Sequence, residues 1–141
     1  SFFEHSPDAR LLLLVMSVEV LLDLQPRPEK AGELVDSLIS QTKTAEELSE
    51  SEKCSLVGAL RWLRKESIRQ ASRRLISEKL DGKTYNNRDA PAFFLHCYDL
   101  RSALVHGSQP YPTRDQIGTA AANLEVLVAD LLSAGIALAR T

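Results

Sequence analysis

The chain has 141 residues, of which 44% are hydrophobic and 26% are charged, and its formal net charge is −2. This composition is typical of one globular domain over residues 1–141 and excludes intrinsic disorder. The slight negative charge excludes coating of nucleic acid by overall charge alone. Cys54 and Cys97 show no metal-ligand spacing, so we expect a reduced, cytoplasmic protein. The sequence begins at Ser1 without Met, which is consistent with a piece of a longer protein.

The first predicted helix begins at Ser6-Pro7-Asp8, which combines a capping side chain, an early proline and an acidic residue in the first turn. Apolar residues at helical spacing continue to Leu24, and two prolines follow. The apolar run over residues 11–16 is too short to cross a bilayer, so we expect no membrane segment and no signal peptide. Glu19 is either a solvated or salt-bridged helix residue or a buried carboxylate that orients Arg101.

A second helix is predicted over residues 29–41, with four apolar residues facing inward: Leu34, Leu38, Val35 and Ile39. The sequence Thr44-Ala45-Glu46-Glu47 matches a capping box, so a third helix is predicted to begin there and to extend towards Lys65. Trp62 is the only tryptophan. We expect it in the core or lining a groove, with base stacking as the alternative.

The next predicted helix covers residues 66–80 and lies in the most basic part of the chain, since residues 61–83 carry 8 basic and 3 acidic side chains. If this helix joined the preceding one, four cations would form a continuous stripe: Arg61, Lys65, Arg69 and Arg73. Such a stripe either binds RNA phosphates or is a solvated face. Ser67 is either an N-cap or a contributor to the functional site.

A central helix is predicted to begin at Asp89 and to end at Gly107, after a polar loop over residues 83–88. Its core-facing residues follow helical spacing: Phe93, Cys97, Leu100 and Leu104. Thr113 is predicted to cap a long last helix. No alternating strand pattern is evident, so the sequence predicts an all-α protein with five or six helices in a bundle.

Polar side chains lie off the core stripe of the central helix. Ser102 and His106 are four residues apart and therefore neighbours, and Tyr98 precedes Arg101 and Ser102 by one turn. Arginine matches two phosphate oxygens with its planar fork, and histidine is the side chain that changes charge near neutral pH. These residue types suit cleavage of a phosphodiester bond, in which Arg101 stabilises the phosphate and His106 transfers a proton.

Structural roles are the alternative for this pair. Arg101 would form a salt bridge with Glu19 or Asp99, and His106 would interact with the dipole at the end of its helix. Two further histidines lie outside the group and are expected at the surface: His5 and His96. Their spacing does not suit a metal, so no metal site and no cofactor are expected.

The segment from Tyr98 to Gly107 (YDLRSALVHG) resembles the R-x4-6-H signature of the HEPN family, and it is most similar to the Apea-like branch of that family. Two weaker similarities extend the resemblance, one over residues 66–69 and one over residues 10–19. The resemblance implies a homodimeric helical bundle with metal-independent endoribonuclease activity. Its site residues would be Arg101 and His106, with supporting roles for four others: Tyr98, Ser102, Glu19 and Ser67.

The family resemblance also implies partners and leaves alternatives open. RNA is the implied substrate, and a toxin or defence role with an antitoxin or a fused partner domain is typical of the family. Ser102 stands where many active relatives carry a more polar residue, whereas serine is usual in the Apea-like branch. The alternatives are a non-catalytic module that binds RNA or nucleotides and dimerises, and a purely structural partner domain.

Overall fold

The computed structural model describes residues 6–139, with side chains to residue 135, so His5 lies outside the described residues. Within this range the protein is all-α, as predicted. Six helices are present: α1 (Pro7–Val20), α2 (Glu29–Thr44), α3 (Glu50–Trp62), α4 (Ile68–Lys79), α5 (Ala90–His106) and α6 (Arg114–Ala139). A small antiparallel hairpin, β1 (Thr84–Tyr85) and β2 (Arg88–Asp89), precedes α5.

The described residues fall into two compact units, residues 6–22 with 72–139 and residues 23–71. In the first unit α1 packs against α6, and α5 packs against both of them. The centre of this core is aromatic and aliphatic, and its fully buried members include Leu11, Val15, Ile76, Phe93, Phe94, Cys97, Leu124 and Leu127. Burial of this set orients α5, which carries the residues that the sequence singles out.

Local signals decide where the helices of the first unit begin. The backbone N–H of Ala9 donates to Ser6 Oγ at 3.2 Å, and that of Ala92 donates to Asp89 Oδ1 at 2.8 Å. Thr113 Oγ1 accepts from Gln116 N at 3.2 Å at the start of α6. Each cap satisfies a backbone donor that has no partner inside its helix, so all three predicted caps are confirmed.

The hairpin before α5 corrects the prediction of a polar loop over residues 83–88. Its turn residues Asn86 and Asn87 have φ values of 49° and 62°. Asparagine tolerates this left-handed region, which a two-residue turn between twisted strands requires. Each strand has only two residues, so no alternation of apolar and polar positions could reveal it.

Tyr85 attaches the hairpin to α6. Its side chain is buried, and its hydroxyl donates to Asp130 Oδ2 at 2.6 Å. Lys83 Nζ lies 3.3 Å from the same oxygen. Burial raises the pKa of Tyr85, and the hydrogen bond to Asp130 raises it further. The hydrogen bond from Tyr85 lowers the pKa of Asp130, with a smaller contribution from Lys83.

Removing this hydroxyl should destabilise the first unit in a pH-dependent way. At neutral pH, Tyr85→Phe is expected to lower the free energy of unfolding by about 1 kcal/mol, because Asp130 loses a donor. Since folding lowers the pKa of Asp130, its ionised form contributes stability above the ordinary carboxyl range, and this contribution disappears as the pH falls. The difference between variant and wild type in urea unfolding should therefore shrink below a pH of about 4. A difference unchanged at acid pH, or an equal loss in the half-exposed control Tyr111→Phe, would contradict this assignment.

The second unit is a helical hairpin of α2 and α3. Its small core contains Val35, Ile39 and Val57, with Leu60 packed against them. Backbone hydrogen bonds join the two segments that flank the helices, from Arg27 N to Arg64 O and from Glu66 N to Gln25 O, both at 2.8 Å. The Arg64 guanidinium also forms a salt bridge with Asp36 at 2.5 Å. The second unit thus combines a small apolar core with a salt bridge and with two backbone hydrogen bonds that join the ends of the helical hairpin.

Four predictions for this unit are wrong. Leu34 is 61% exposed, Leu38 is 37% exposed and Trp62 is 73% exposed, so none of the three belongs to the core. The capping box lies at Ser49 and Glu52, and residue 44 still belongs to α2. Thr44 Oγ1 donates to the Ser40 carbonyl at 3.2 Å, so its hydroxyl continues α2 instead of starting α3.

Helix α6 is long and apolar. By length and mean hydropathy alone, residues 114–135 meet the criterion for a membrane span. Core helices of soluble proteins also meet this criterion, and the buried residues of α6 face α1 and the aromatic centre of the first unit. Within the described residues, α6 contributes six buried residues to the core of the first unit: Ile117, Ala120, Ala121, Leu124, Leu127 and Leu131.

Candidate active site on helix α5

Helix α5 ends at Gly107, whose backbone is left-handed with φ 64° and ψ 31°. The N–H groups of Gly107 and Ser108 both donate to the Ala103 carbonyl, which closes the last turn. A residue with a Cβ would be strained at this φ. His106 is therefore the last helical residue, and its imidazole is exposed beyond the packed part of α5.

Arg101 lies one and a half turns earlier and is half-buried. Its Nε atom is buried and has no hydrogen-bond partner within the described structure. No salt bridge joins Arg101 to Glu19 in that part of the chain, although Glu19 is half-buried on α1, a helix that packs against α5. A buried donor without a partner typically costs about 1–3 kcal/mol. Arg74 Nε on α4 is in the same state within the described residues, whereas Arg101 shares its helix with His106.

Tyr98 and Ser102 are also half-buried on α5. The ring of Tyr98 packs against Phe94 with their centroids 6.5 Å apart, which restricts its orientation. Ser102 and His106 are neighbours on the helix surface. By contrast, Arg101 and His106 are separated by about 140° around α5 and by about 7.5 Å along its axis. Their side chains diverge, and one copy of α5 does not bring both to a single small ligand.

The remaining predicted site residues lie elsewhere. Ser67 is an N-cap for α4, because its Oγ accepts from Gln70 N at 3.2 Å and its own N–H donates to Gln70 Oε1 at 2.9 Å. The continuous basic stripe is not formed, since α3 ends at Trp62 and α4 begins at Ile68. All four predicted members are exposed, but Arg61 lies on α3, Lys65 lies between the helices, and Arg69 and Arg73 lie on α4.

The structure adds a histidine that the sequence placed at the surface. His96 is half-buried beside the hairpin turn and the start of α6, where it lines a crevice with Asn86, Gln116 and Thr119. Burial lowers the pKa of His96, and the charge of Arg88 acts in the same direction, whereas Asp99 opposes the shift. The sequence signal for this environment is the position of His96 next to the core residue Cys97. Burial raises the pKa of the Cys97 thiol to about 12.

The part of the chain that the structure describes contains no cluster of side chains that could bind a metal ion. No group of three or more histidine, cysteine, aspartate or glutamate side chains converges there. The residues that offer chemistry on α5 are thus an arginine, a histidine, a tyrosine and a serine, which are proton-transfer and anion-binding groups.

Comparison of the chain with models of protein families, with curated proteins and with solved structures gave no match. The fold and the candidate site define an all-α protein with helical-bundle packing in its first unit. An Arg101 and His106 pair occupies the last turns of its central helix.

Proposed function

We propose that this chain is a HEPN domain of the Apea-like branch and a metal-independent endoribonuclease. The observation that carries the proposal is the state of Arg101, whose buried Nε has no hydrogen-bond partner within residues 6–139 although the helix around it is otherwise packed. An anion bound at the guanidinium would compensate this cationic group. His106, exposed about one and a half turns further on at the glycine-terminated end of α5, is the proton-transfer group on the same helix.

The chemistry needs no metal. A base removes the proton of a ribose 2′-hydroxyl, whose oxygen attacks the adjacent phosphorus, and the bond to the 5′-oxygen breaks as an acid protonates that leaving group. Arg101 stabilises the negative charge that develops on the phosphate oxygens. In this proposal Tyr98 and Ser102 would orient the phosphate or the imidazole of His106.

A homodimer would complete this site. One copy of the chain supplies a single motif histidine, whereas the reaction uses a base and an acid. Arg101 and His106 also diverge around α5, so one copy does not bring both side chains to one phosphate. A second copy of α5 across a shared cleft would bring an arginine and a histidine together. We propose RNA as the substrate and a cytoplasmic toxin or defence role, in which an antitoxin or a fused partner domain restrains the activity.

The test is cleavage of a mixed pool of single-stranded and structured RNA by the purified protein in excess EDTA. Cleavage should persist after chelation and should be lost in Arg101→Ala and in His106→Ala. His96→Ala is the matched control, because it removes a histidine from the same helix outside the proposed site. Cleavage that requires a divalent cation, or that survives both site substitutions, would refute the proposal.

A non-catalytic module that binds RNA and dimerises is the second candidate. The half-buried position of Arg101 favours it, since a guanidinium held against the helix packing can bind an anion through its terminal nitrogens without a second catalytic group. This function predicts RNA affinity without cleavage in the EDTA assay. Its affinity should fall in Arg101→Ala, whereas the His106→Ala protein should bind as the wild type does.

A further inference from the structure

A groove in the second unit gathers positive charge. It has a volume of about 360 Å³ and lies along α3, beside the last turn of α2. Three cations line it: Lys43, Lys53 and Arg61. Glu50 is the single carboxylate of the lining, and Cys54, Val57 and Gly58 complete it. We call this feature the cationic groove.

The charge of Lys53 is poorly compensated. Its side chain is only 17% exposed, and its ammonium lies 3.1 Å from Glu50, whose side chain is 91% exposed. A solvent-exposed partner on the next helical turn gives a weak ion pair, because water and salt screen it. An anion in the cationic groove would add a second partner to this weak pair. Lys53 therefore favours an anionic ligand in the cationic groove.

The floor of the cationic groove is open at Gly58. A Cβ added there would meet nothing within 4 Å, so this glycine is not required by packing inside the chain. Glycine in the middle of a helix costs about 1 kcal/mol relative to alanine. Its position in α3 thus leaves space in the groove at the expense of helix stability.

The spacing of the cations distinguishes between phosphate ligands. Lys53 and Arg61 lie eight residues apart on one face of α3, which places them about 12 Å apart along the helix axis. A single inorganic phosphate contacts both only if the two side chains extend towards each other. The phosphates of one extended strand would instead contact each cation separately along α3, with the strand running across Gly58.

We propose that the cationic groove binds the phosphate backbone of a single-stranded RNA segment. This inference rests on the proposed function for its choice of RNA, and it assigns an anchoring role to residues of α2 and α3 that are distinct from Arg101 and His106. The groove would hold substrate without taking part in the chemistry. Loss of the groove should weaken RNA binding and leave cleavage at saturating RNA unchanged.

Cys54 reports directly on occupation of the groove. Its thiol is exposed, whereas Cys97 is buried, so N-ethylmaleimide should modify Cys54 in the folded protein. A Cys54→Ser variant establishes that Cys97 does not react. The assay uses His106→Ala protein, so that RNA remains uncut. At an oligouridylate concentration about ten times its Kd, modification should slow about tenfold, because only the unbound fraction reacts.

Charge and shape variants test the ligand contacts. Lys43→Ala and Arg61→Ala should each weaken RNA binding and lower the slope of log affinity against log salt by about 0.7. Gly58→Leu should block the groove without a change of charge and without a clash inside the chain. Lys30→Ala, which removes an exposed cation outside the groove on α2, is the matched control and should bind RNA as the unsubstituted protein does.

Several outcomes would overturn the proposal. Unchanged Cys54 modification in the presence of RNA would exclude the groove as its site, as would Gly58→Leu protein that binds RNA normally. Equal protection by inorganic phosphate would indicate a site for a small anion, and equal protection by polyglutamate would indicate an acidic protein partner. If RNA protects Cys54 but the wild-type protein does not cleave RNA, the proposed function fails and this inference stands. If the protein cleaves RNA but RNA does not protect Cys54, this inference fails and the proposed function stands.

Discussion

Replacing His106 with alanine is expected to lower the rate of RNA cleavage by about 10²–10⁴-fold, which is the usual contribution of a positioned acid or base. Arg101→Ala should lower the rate by about 10²–10³-fold, because it removes one stabilising group from the developing phosphate charge. Single-turnover rates in EDTA measure both effects. Because His106 is exposed at the end of α5, its replacement should leave the fold unchanged. Circular dichroism and urea unfolding of the His106→Ala protein should therefore match the wild type.

Mixing the two inactive variants tests whether the site is shared between copies. If Arg101 of one copy acts with His106 of the other, a dimer of one Arg101→Ala chain and one His106→Ala chain retains one intact combination. Equal mixing would then restore about one quarter of the wild-type rate, since half of the dimers are mixed and each has one working site of two. No restoration, with mixed dimers demonstrated, would show either that each site takes both residues from a single chain or that one cleft needs the histidines of both copies as base and acid.

Replacing Phe93 with alanine is expected to destabilise the first unit by about 3–5 kcal/mol, which is the usual cost of truncating a fully buried aromatic residue. Phe93 is 0% exposed, and its ring centroid lies 5.9 Å from that of Tyr85. The cavity would adjoin both the hairpin and α5, so cleavage should also be lost at temperatures where the variant unfolds. Urea unfolding measures the change in stability.

Leu13→Ala is the matched control for this prediction, because Leu13 is apolar but 59% exposed on α1. Its loss should alter stability by no more than about 0.5 kcal/mol. A loss for Phe93→Ala below about 1 kcal/mol, or equal losses in the two variants, would contradict the core described for the first unit.

Structural features that depend on a few neighbouring residues, such as helix caps and the end of α5, were predicted correctly from the sequence. Ser6, Asp89 and Thr113 cap helices as expected, and Gly107 ends α5. Caps and glycine-terminated ends depend on hydrogen bonds between residues two to five positions apart. The tertiary structure therefore had little opportunity to override them.

The errors share a different origin. Thr44 and Ser49 both match a capping pattern, and α2 extends through Thr44 and leaves the cap of α3 to Ser49. Helical spacing marks Leu34 and Val35 as neighbours, but only the position of α3 decides that Val35 is buried. Trp62 is exposed at the end of α3 for the same reason, since no segment of its own unit covers that face.

The sequence by itself determined the helical class, most helix ends and the placement of Arg101 and His106 on one helix, because periodicity and caps are local properties. Only the tertiary structure decided that Arg101 is half-buried with an unpartnered Nε, that α3 and α4 are separate, and that His96 is enclosed beside the hairpin. It also brought Lys43 to the cations of α3. These features depend on which faces meet, and helical spacing within one segment carries no information about its partner.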